Sequence, residues 1–286
     1  MDRITLAAHA KINLSLRILG KREDGFHELE TLMTRIDLHD DVEIMHGAGD
    51  GISFTCNDPD LPSGSDNLCV KAANAFRDST GLDHGMVITL MKRIPHGAGL
   101  GGGSSDAAAV LLGLNELFDY PLICEELHRI AALLGSDVPF FLGDGPSWCR
   151  GRGEILEPAE ILLDRDILLI KPPFSVSTAW AYQRYAAMQP AGHNPSRDNT
   201  QWMGNIKLVN DLEAPVFEKF ILLAVMKNWL RGQPEVESVL MSGSGSTMVV
   251  ILVPEVGSDR VSDLRERITA DFGPALWMCE SRFLSA

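Results

Sequence analysis

Three groups of residues in this chain are equipped for chemistry. The first is the run Pro95-His96-Gly97-Ala98-Gly99-Leu100-Gly101-Gly102-Gly103-Ser104-Ser105, in which five of the seven residues from Gly97 to Gly103 are glycine. Glycine tolerates positive φ and lets backbone N–H groups approach a ligand with no Cβ in the way. The apolar run 86–90 precedes it and an alanine-rich amphipathic segment follows, so it reads as strand, loop and helix N-terminus. A first helical turn leaves its N–H groups unpaired at the positive end of the macrodipole, a geometry that binds phosphate. The second group is Asp137, set between Gly135 and Pro139 and followed by Phe140-Phe141. A carboxylate beside apolar residues needs a partner; it is either an Asp-turn capping local backbone or a reactive group. The third is Lys11 with Asn13, two apart in an apolar strand and therefore on one face. Taken alone, they fit a snorkelling lysine and a solvated strand edge as well as a site.

The kind of phosphate loop follows from its surroundings. Gly97 to Gly102 matches G-x-G-x-x-G, but a dinucleotide fold needs an acidic residue at the end of a second strand about twenty positions on. Here the helix runs into Tyr120-Pro121 and another helix, and the nearby acids Glu116 and Asp119 lie on or just after the first helix. A Walker A loop ends in G-K-[ST], whereas this one ends in Gly102-Gly103-Ser104-Ser105. A merely flexible glycine turn is a poor account, because each glycine costs backbone entropy on ordering.

The elements that must position these groups follow from periodicity. Strands are predicted over 4–19, 28–37, 41–45, 52–56 and 86–93. A helix is predicted over 67–80 with Gly81 as its C-cap. The next helix begins at a Ser104 or Ser105 cap, and another spans 122–134. Residues 143–153 read as loop. The second half gives a strand over 166–171, a helix over 177–188, a polar loop over 189–200 and one or two helices in 208–230 interrupted at Pro215. Strands follow at 236–242 and 247–253, then a helix at 259–272 and a strand at 276–281. The order β-α-α-β-β-α-β predicts a ferredoxin-like α+β unit with an added helix. A boundary at 157–164 divides the chain into 1–158 and 159–286.

Composition narrows the function classes. With 286 residues, 45% hydrophobic and 22% charged, the chain has the balance of a globular protein with room for two cores. A net charge of −14 argues against a broad nucleic-acid surface, so an anion site has to be built locally. Five scattered cysteines without a CxxC read as free thiols of a reducing compartment. With no signal-peptide or membrane-span pattern, the expectation is a cytoplasmic protein. The eight histidines show no metal-ligand spacing.

PHGAGLGGGSSDAAA closely resembles the second motif of the GHMP kinases. Ala10-Lys11-Ile12-Asn13-Leu14 with Gly25-Phe26-His27 resembles the start of one branch of that superfamily, as do Leu134 to Phe141, Gly151-Arg152-Gly153-Glu154, Asn210-Asp211-Leu212-Glu213 and Met241 to Gly245. The resemblance implies an α+β two-domain GHMP kinase fold, with a ribosomal-protein-S5-like α/β domain at 1–158 and a ferredoxin-like α+β domain at 159–286. It implies ATP bound by Pro95 to Ser105 with Mg2+, whose protein ligands stay unassigned. Asp137 would accept the proton of a substrate hydroxyl, and Lys11 would partner it and steady charge on the transferring phosphoryl. Asn13 would hold a substrate oxygen. Phe26 would stack on a cytosine and His27 would read its polar edge. Tyr182, or alternatively Trp180, would close the sandwich, with Thr178 and Gly243 also at the substrate. The implied reaction is phosphorylation of the 2-hydroxyl of a cytidine-diphosphate-linked methylerythritol in the non-mevalonate isoprenoid route. The expected partners are that small molecule and ATP, with no nucleic acid or membrane, in a monomer or weak homodimer. Mevalonate- or homoserine-type kinases are disfavoured by the Gly25-Phe26-His27 loop. A non-catalytic nucleotide sensor is disfavoured by the presence of both Lys11 and Asp137.

Overall fold

In the computed structural model of the chain, residues 2–161, 164–188, 201–204 and 206–284 are described. The polar loop expected at 189–200 lies outside them, as do residues 162–163 of the boundary segment. Two long strands form the frame. β1 (Arg3–Lys21) and β2 (His27–Gly47) run antiparallel, from Arg3 opposite Met45 to Lys21 opposite His27. β2 is one strand where two were expected, because Leu38-His39-Asp40 stays in the sheet. β3 (Ile52–Cys56) and β4 (Gly85–Met91) extend this sheet beside β2.

Helices α1 (Leu68–Thr80), α2 (Gly102–Leu117) and α3 (Cys124–Leu134) cover one face. Asn67 caps α1 by accepting from Cys69 N–H at 2.8 Å, and Gly81 closes it at φ 69°. α2 lies close to the sheet: a Cβ on Gly113 would stand 2.6 Å from Ile44 and 2.8 Å from Leu6 side-chain carbons. α2 also begins earlier than expected. Its N-cap is Gly101 at φ 70°, with no side-chain cap, so neither Ser104 nor Ser105 caps it. Residues 143–153 are not mostly loop either. β5 (Ser147–Gly151) and β6 (Ile155–Pro158) form a hairpin on β2, a pairing across more than a hundred residues that local glycine content conceals.

The second sheet contains β7 (Asp166–Lys171). After α4 (Thr178–Met188), the chain returns to the first sheet through β8 (Gln201–Met203) and β9 (Ile206–Asn210), which pairs parallel with β1. α5 (Glu213–Lys219) and α6 (Ile221–Arg231) follow. Pro215 sits in the first turn of α5, where its missing N–H has no intrahelical acceptor to lose, and the helical run breaks at Phe220 instead. β10 (Val236–Met241), β11 (Met248–Leu252), α7 (Ser258–Phe272) and β12 (Trp277–Arg282) complete a sheet of order β10-β11-β7-β12. This is the expected ferredoxin-like arrangement.

The two sheets pack face to face, each with helices on its outer side. Ile167, Leu169, Val249 and Ile251 point between the sheets. Their neighbours Leu168, Ile170, Val250 and Leu252 pack under the C-terminal helices. This is the period-two alternation of a sheet buried on both faces. Along β1, every second residue from Ile4 to Ile18 is apolar, yet three zones use them. Ile4 and Ala8 pack under α1–α3, Ala10, Ile12 and Leu14 lie between the sheets, and Leu16 and Ile18 join the C-terminal core. The zone changes at two register shifts, between His9 and Lys11 and between Asn13 and Ser15. Such bulges bend and re-aim a strand.

Candidate active site

Lys11 and Asn13 emerge from β1 between those two irregularities. Both are buried. Lys11 Nζ donates to Asn13 Oδ1 at 2.7 Å and stands 3.3 Å from Asp137 Oδ2. Asn13 Nδ2 in turn donates to Thr31 Oγ1 at 2.8 Å, and that hydroxyl donates to Ser15 O at 2.6 Å. The lysine is thus held by a chain of bonds anchored in the β1–β2 ladder. Asp137 comes from the turn after α3, just before the short 3-10 segment Pro139–Leu142. Its carboxylate is about one-third exposed, while the Lys11 side chain is nearly covered. The Cys149 thiol, close to both, is pushed up to about 12 by burial and by the Asp137 charge, which leaves it an inert neutral neighbour.

Lys11, Asn13, Phe26, His27, Asp137, Thr178, Tyr182 and Gly243 all line one cavity of about 590 Å3. Tyr182 lies against His27, ring centroids 5.3 Å apart and planes 25° off parallel. Phe26 is half exposed, with the Arg152 guanidinium over its ring. His27 Nε2 is buried without a hydrogen-bond partner among the described residues, and burial, with Lys21 nearby, lowers the imidazole pKa. The site therefore presents a neutral ring with one unsatisfied nitrogen. Burial and the charges of Asp137 and Asp211 push the Tyr182 phenol up, so it stays an uncharged stacking surface. Trp180 packs against Phe220 instead. Thr178 Oγ1 meets Ser244 Oγ at 2.8 Å, joining the start of α4 to the glycine turn after β10.

The glycine run lines a second cavity of about 360 Å3, with Pro95 to Ser104 on its wall. Ser105 is buried and does not line it; its N–H donates to Gly101 O at 2.9 Å. Gly97, Gly99 and Gly101 all have positive φ. Gly99 carries the tightest approach: a Cβ there would collide with Ser242 O and stand 2.9 Å from Gly245 O. The loop is tied down on both sides. Lys11 N–H donates to Leu100 O at 2.9 Å, and Ser242 Oγ donates to Gly99 O at 2.9 Å. Gly99 and Gly101 line both cavities, so the two spaces share a wall one backbone thick beside Lys11.

Several residues beyond the expected ones shape the site. Lys92 is a buried ion-pair member and not a solvated charge. Its Nζ lies 2.5 Å from Asp40 Oδ2 and 2.8 Å from Asp106 Oδ2. Asp40 also accepts the backbone N–H groups of Arg93 and Ile94, at 2.5 and 2.8 Å, fixing the entry to the glycine loop. Arg93 is exposed and pairs with Asp41. In the Asn210-Asp211-Leu212-Glu213 motif the polar side chains clamp backbone. Asn210 donates to Met241 O and Gly243 O, both at 2.7 Å. Asp211 accepts from Ile18 N–H, and Glu213 accepts from Met241 N–H and Lys227. Arg152 and Gly153 also line the larger cavity.

A family model described as the N-terminal domain of GHMP kinases matches residues 67–145. The chain is 46% identical over 276 residues to the 4-diphosphocytidyl-2-C-methyl-D-erythritol kinase of Methylacidiphilum infernorum (isolate V4), covering 95% of this chain and 93% of the relative. It is 42% identical to the kinase of the same name from Chlorobium phaeobacteroides (strain BS1), over 87% and 88% of the two chains. A crystal structure of 4-(cytidine 5'-diphospho)-2C-methyl-D-erythritol kinase matches with a TM-score of 0.78 at 33% identity, covering 98% of this chain and 99% of the other. An L. major mevalonate kinase in complex with R-mevalonate reaches 0.71 at 16% identity over 99% and 97%, a likeness of fold alone. The GHMP kinase relationship implies ATP use. With close to half its residues shared over nearly its whole length, the chain belongs to the 4-diphosphocytidyl-2-C-methyl-D-erythritol kinase family of GHMP kinases.

Proposed function

We propose that this chain transfers the γ-phosphoryl group of ATP to the 2-hydroxyl of 4-diphosphocytidyl-2-C-methyl-D-erythritol, with Lys11 and Asp137 as its catalytic pair. The observation that carries the reading is the shared wall. Gly99 and Gly101 border both cavities, and a Cβ on Gly101 would stand 2.8 Å from Lys11 Cγ. A triphosphate on the glycine loop and an alcohol in the larger cavity meet there. The unpaired N–H groups of the first turn of α2 hold the phosphates. Asp137 accepts the hydroxyl proton as the substrate oxygen bonds to the γ-phosphorus and the bond to the bridging oxygen of ADP breaks. Lys11 stabilises charge on the transferring group. The unpartnered His27 Nε2, with Tyr182 and Phe26 close by, suits the edge and face of a pyrimidine.

The donor set fits a Mg2+ ion held mainly by nucleotide phosphates and water. Among the described residues no three His, Cys, Asp or Glu side chains form a metal cluster, and Mg2+ commonly takes only one or two protein oxygens beside phosphate. Ser104, on the wall of the glycine-loop cavity, would supply one; when bound, the ion neutralises phosphate charge. The test is ATP consumption with a panel of alcohols. Turnover should require the cytidyl group, and equal turnover of methylerythritol phosphate would remove base recognition from the proposal. Asp137→Asn should lower kcat by about 100- to 10,000-fold while ATP still binds; near-normal turnover would remove Asp137 as the base.

A further inference from the structure

The larger cavity must, under the function proposed above, admit a molecule carrying a diphosphate into a chain of net charge −14. Among the described residues, two fixed cations line it, Lys11 and Arg152. The Lys11 ammonium is already committed to Asn13 and Asp137. Arg152 is held more loosely. Its Cζ lies 4.8 Å from the Phe26 ring centroid, and its Nε makes only a long ion pair with Glu154 Oε1, at 3.7 Å, beyond hydrogen-bond length. A guanidinium carries five N–H donors, and among the described residues none of those of Arg152 makes a hydrogen bond, so they stay available to a ligand.

The backbone fixes where those donors sit. Arg152 occupies the turn between β5 and β6. Glu154 Oε2 accepts the Arg152 N–H at 2.6 Å, and Glu28 Oε1 accepts the Gly151 N–H at 3.1 Å. The next residue, Gly153, brings the same turn to the catalytic pair: a Cβ there would lie 3.8 Å from Asp137 Oδ1. The turn therefore spans the space from the Phe26 end of the cavity to the Asp137 end. A linker joining a base at the first to a hydroxyl at the second has to pass it.

We propose that Arg152 is a specificity-determining residue that binds the diphosphate of the substrate through its guanidinium, with Glu154 as the positioning residue that sets the turn. The inference rests on the substrate class proposed above. Guanidinium and phosphate oxygens match as a two-pronged, charge-assisted pair, so the residue distinguishes a nucleoside diphosphate from the bare nucleoside.

The test is calorimetric titration of the full chain with cytidine and with cytidine diphosphate, the glycine-loop cavity being kept filled by a non-hydrolysable ATP analogue. The unsubstituted chain should bind the diphosphate at least about tenfold more tightly than cytidine. Arg152→Ala should abolish that preference while leaving cytidine affinity and the KM for ATP unchanged, and Arg152→Lys should restore part of it. A preference that survives Arg152→Ala overturns the proposal. So does an equal loss for both ligands, which would mean that Arg152 acts only by backing Phe26. If the unsubstituted chain binds neither ligand, the substrate reading itself has failed and takes this inference with it, a result distinct from either of the others.

Discussion

At the scale of single residues, the sensitive positions are those where a backbone must come closer than a side chain allows. Gly99 has φ 77° and faces Ser242 O and Gly245 O. Gly99→Ala should raise the KM for ATP and cost about 1–3 kcal/mol of stability, read by steady-state kinetics and denaturant unfolding. Gly103 is the contrast. It lies in the first turn of α2, and a Cβ there meets nothing within 4 Å. Gly103→Ala should hold or improve stability, by up to about 1 kcal/mol, while weakening ATP binding because the methyl group stands in the nucleotide's space. Equal effects of the two changes on stability would refute this distinction. The glycines, Lys11 and Asp137 were legible in the sequence because their motifs are contiguous. The bare His27 nitrogen and the stacking of Tyr182 on it were not, since a contact across about 150 positions appears only when the two halves fold together.

At the scale of elements, the phosphate loop depends on what anchors its flanks. Lys92, at the end of β4, bridges Asp40 of β2 and Asp106 of α2 in a buried triad. Asp40 accepts three donors, whereas Asp106 Oδ1 has no partner among the described residues. Burial outweighs Lys92 and pushes the Asp106 carboxyl up to about 8. The folded chain therefore keeps a proton that the unfolded chain releases near pH 4. The associated stability is full below that pH and is lost as pH rises through about 8. Asp106→Asn removes the titration, so its stability relative to the unsubstituted chain should improve between pH 5 and pH 8 in denaturant unfolding. A pH-independent offset would show that Asp106 titrates normally. Periodicity located nearly every helix and most strands, but it misplaced the start of α2 and missed β5, β6, β8 and β9. The errors around α2 and β5 share one physical origin: a glycine-rich segment gains its structure from what it touches, not from its own preferences.

At the scale of the molecule, β1 and β9 bind the two halves into one body, and the centre of the interface between the sheets is an apolar cluster. Leu169 lies at its centre and is completely buried. Leu169→Ala should cost about 2–5 kcal/mol. Because both halves share that interface, tryptophan signals from Trp148 in the first sheet and Trp229 in α6 should shift together. Separate shifts of the two signals would mean that the halves unfold independently. The ferredoxin-like order of the second half was legible from the alternation of elements. β8 and β9 were not: the sequence suggested no strand there and helix from residue 208, because the pairing of β9 with β1 that makes them strands forms only when distant parts of the chain fold together.

The two register shifts that flank Lys11 and Asn13 in β1 have an evolutionary consequence. Between Ile4 and Ile18 the strand works as a ruler: its even positions serve three cores in turn, and the odd positions between its irregularities deliver Lys11 and Asn13. Changing a letter on a ruler alters one mark, but changing its length moves every mark beyond the cut. Lineages that keep this architecture are thus free to exchange Ile, Leu and Val along β1, whereas a one-residue insertion or deletion between Ala8 and Lys11 would turn the downstream apolar side chains outward and misplace the lysine in the same step.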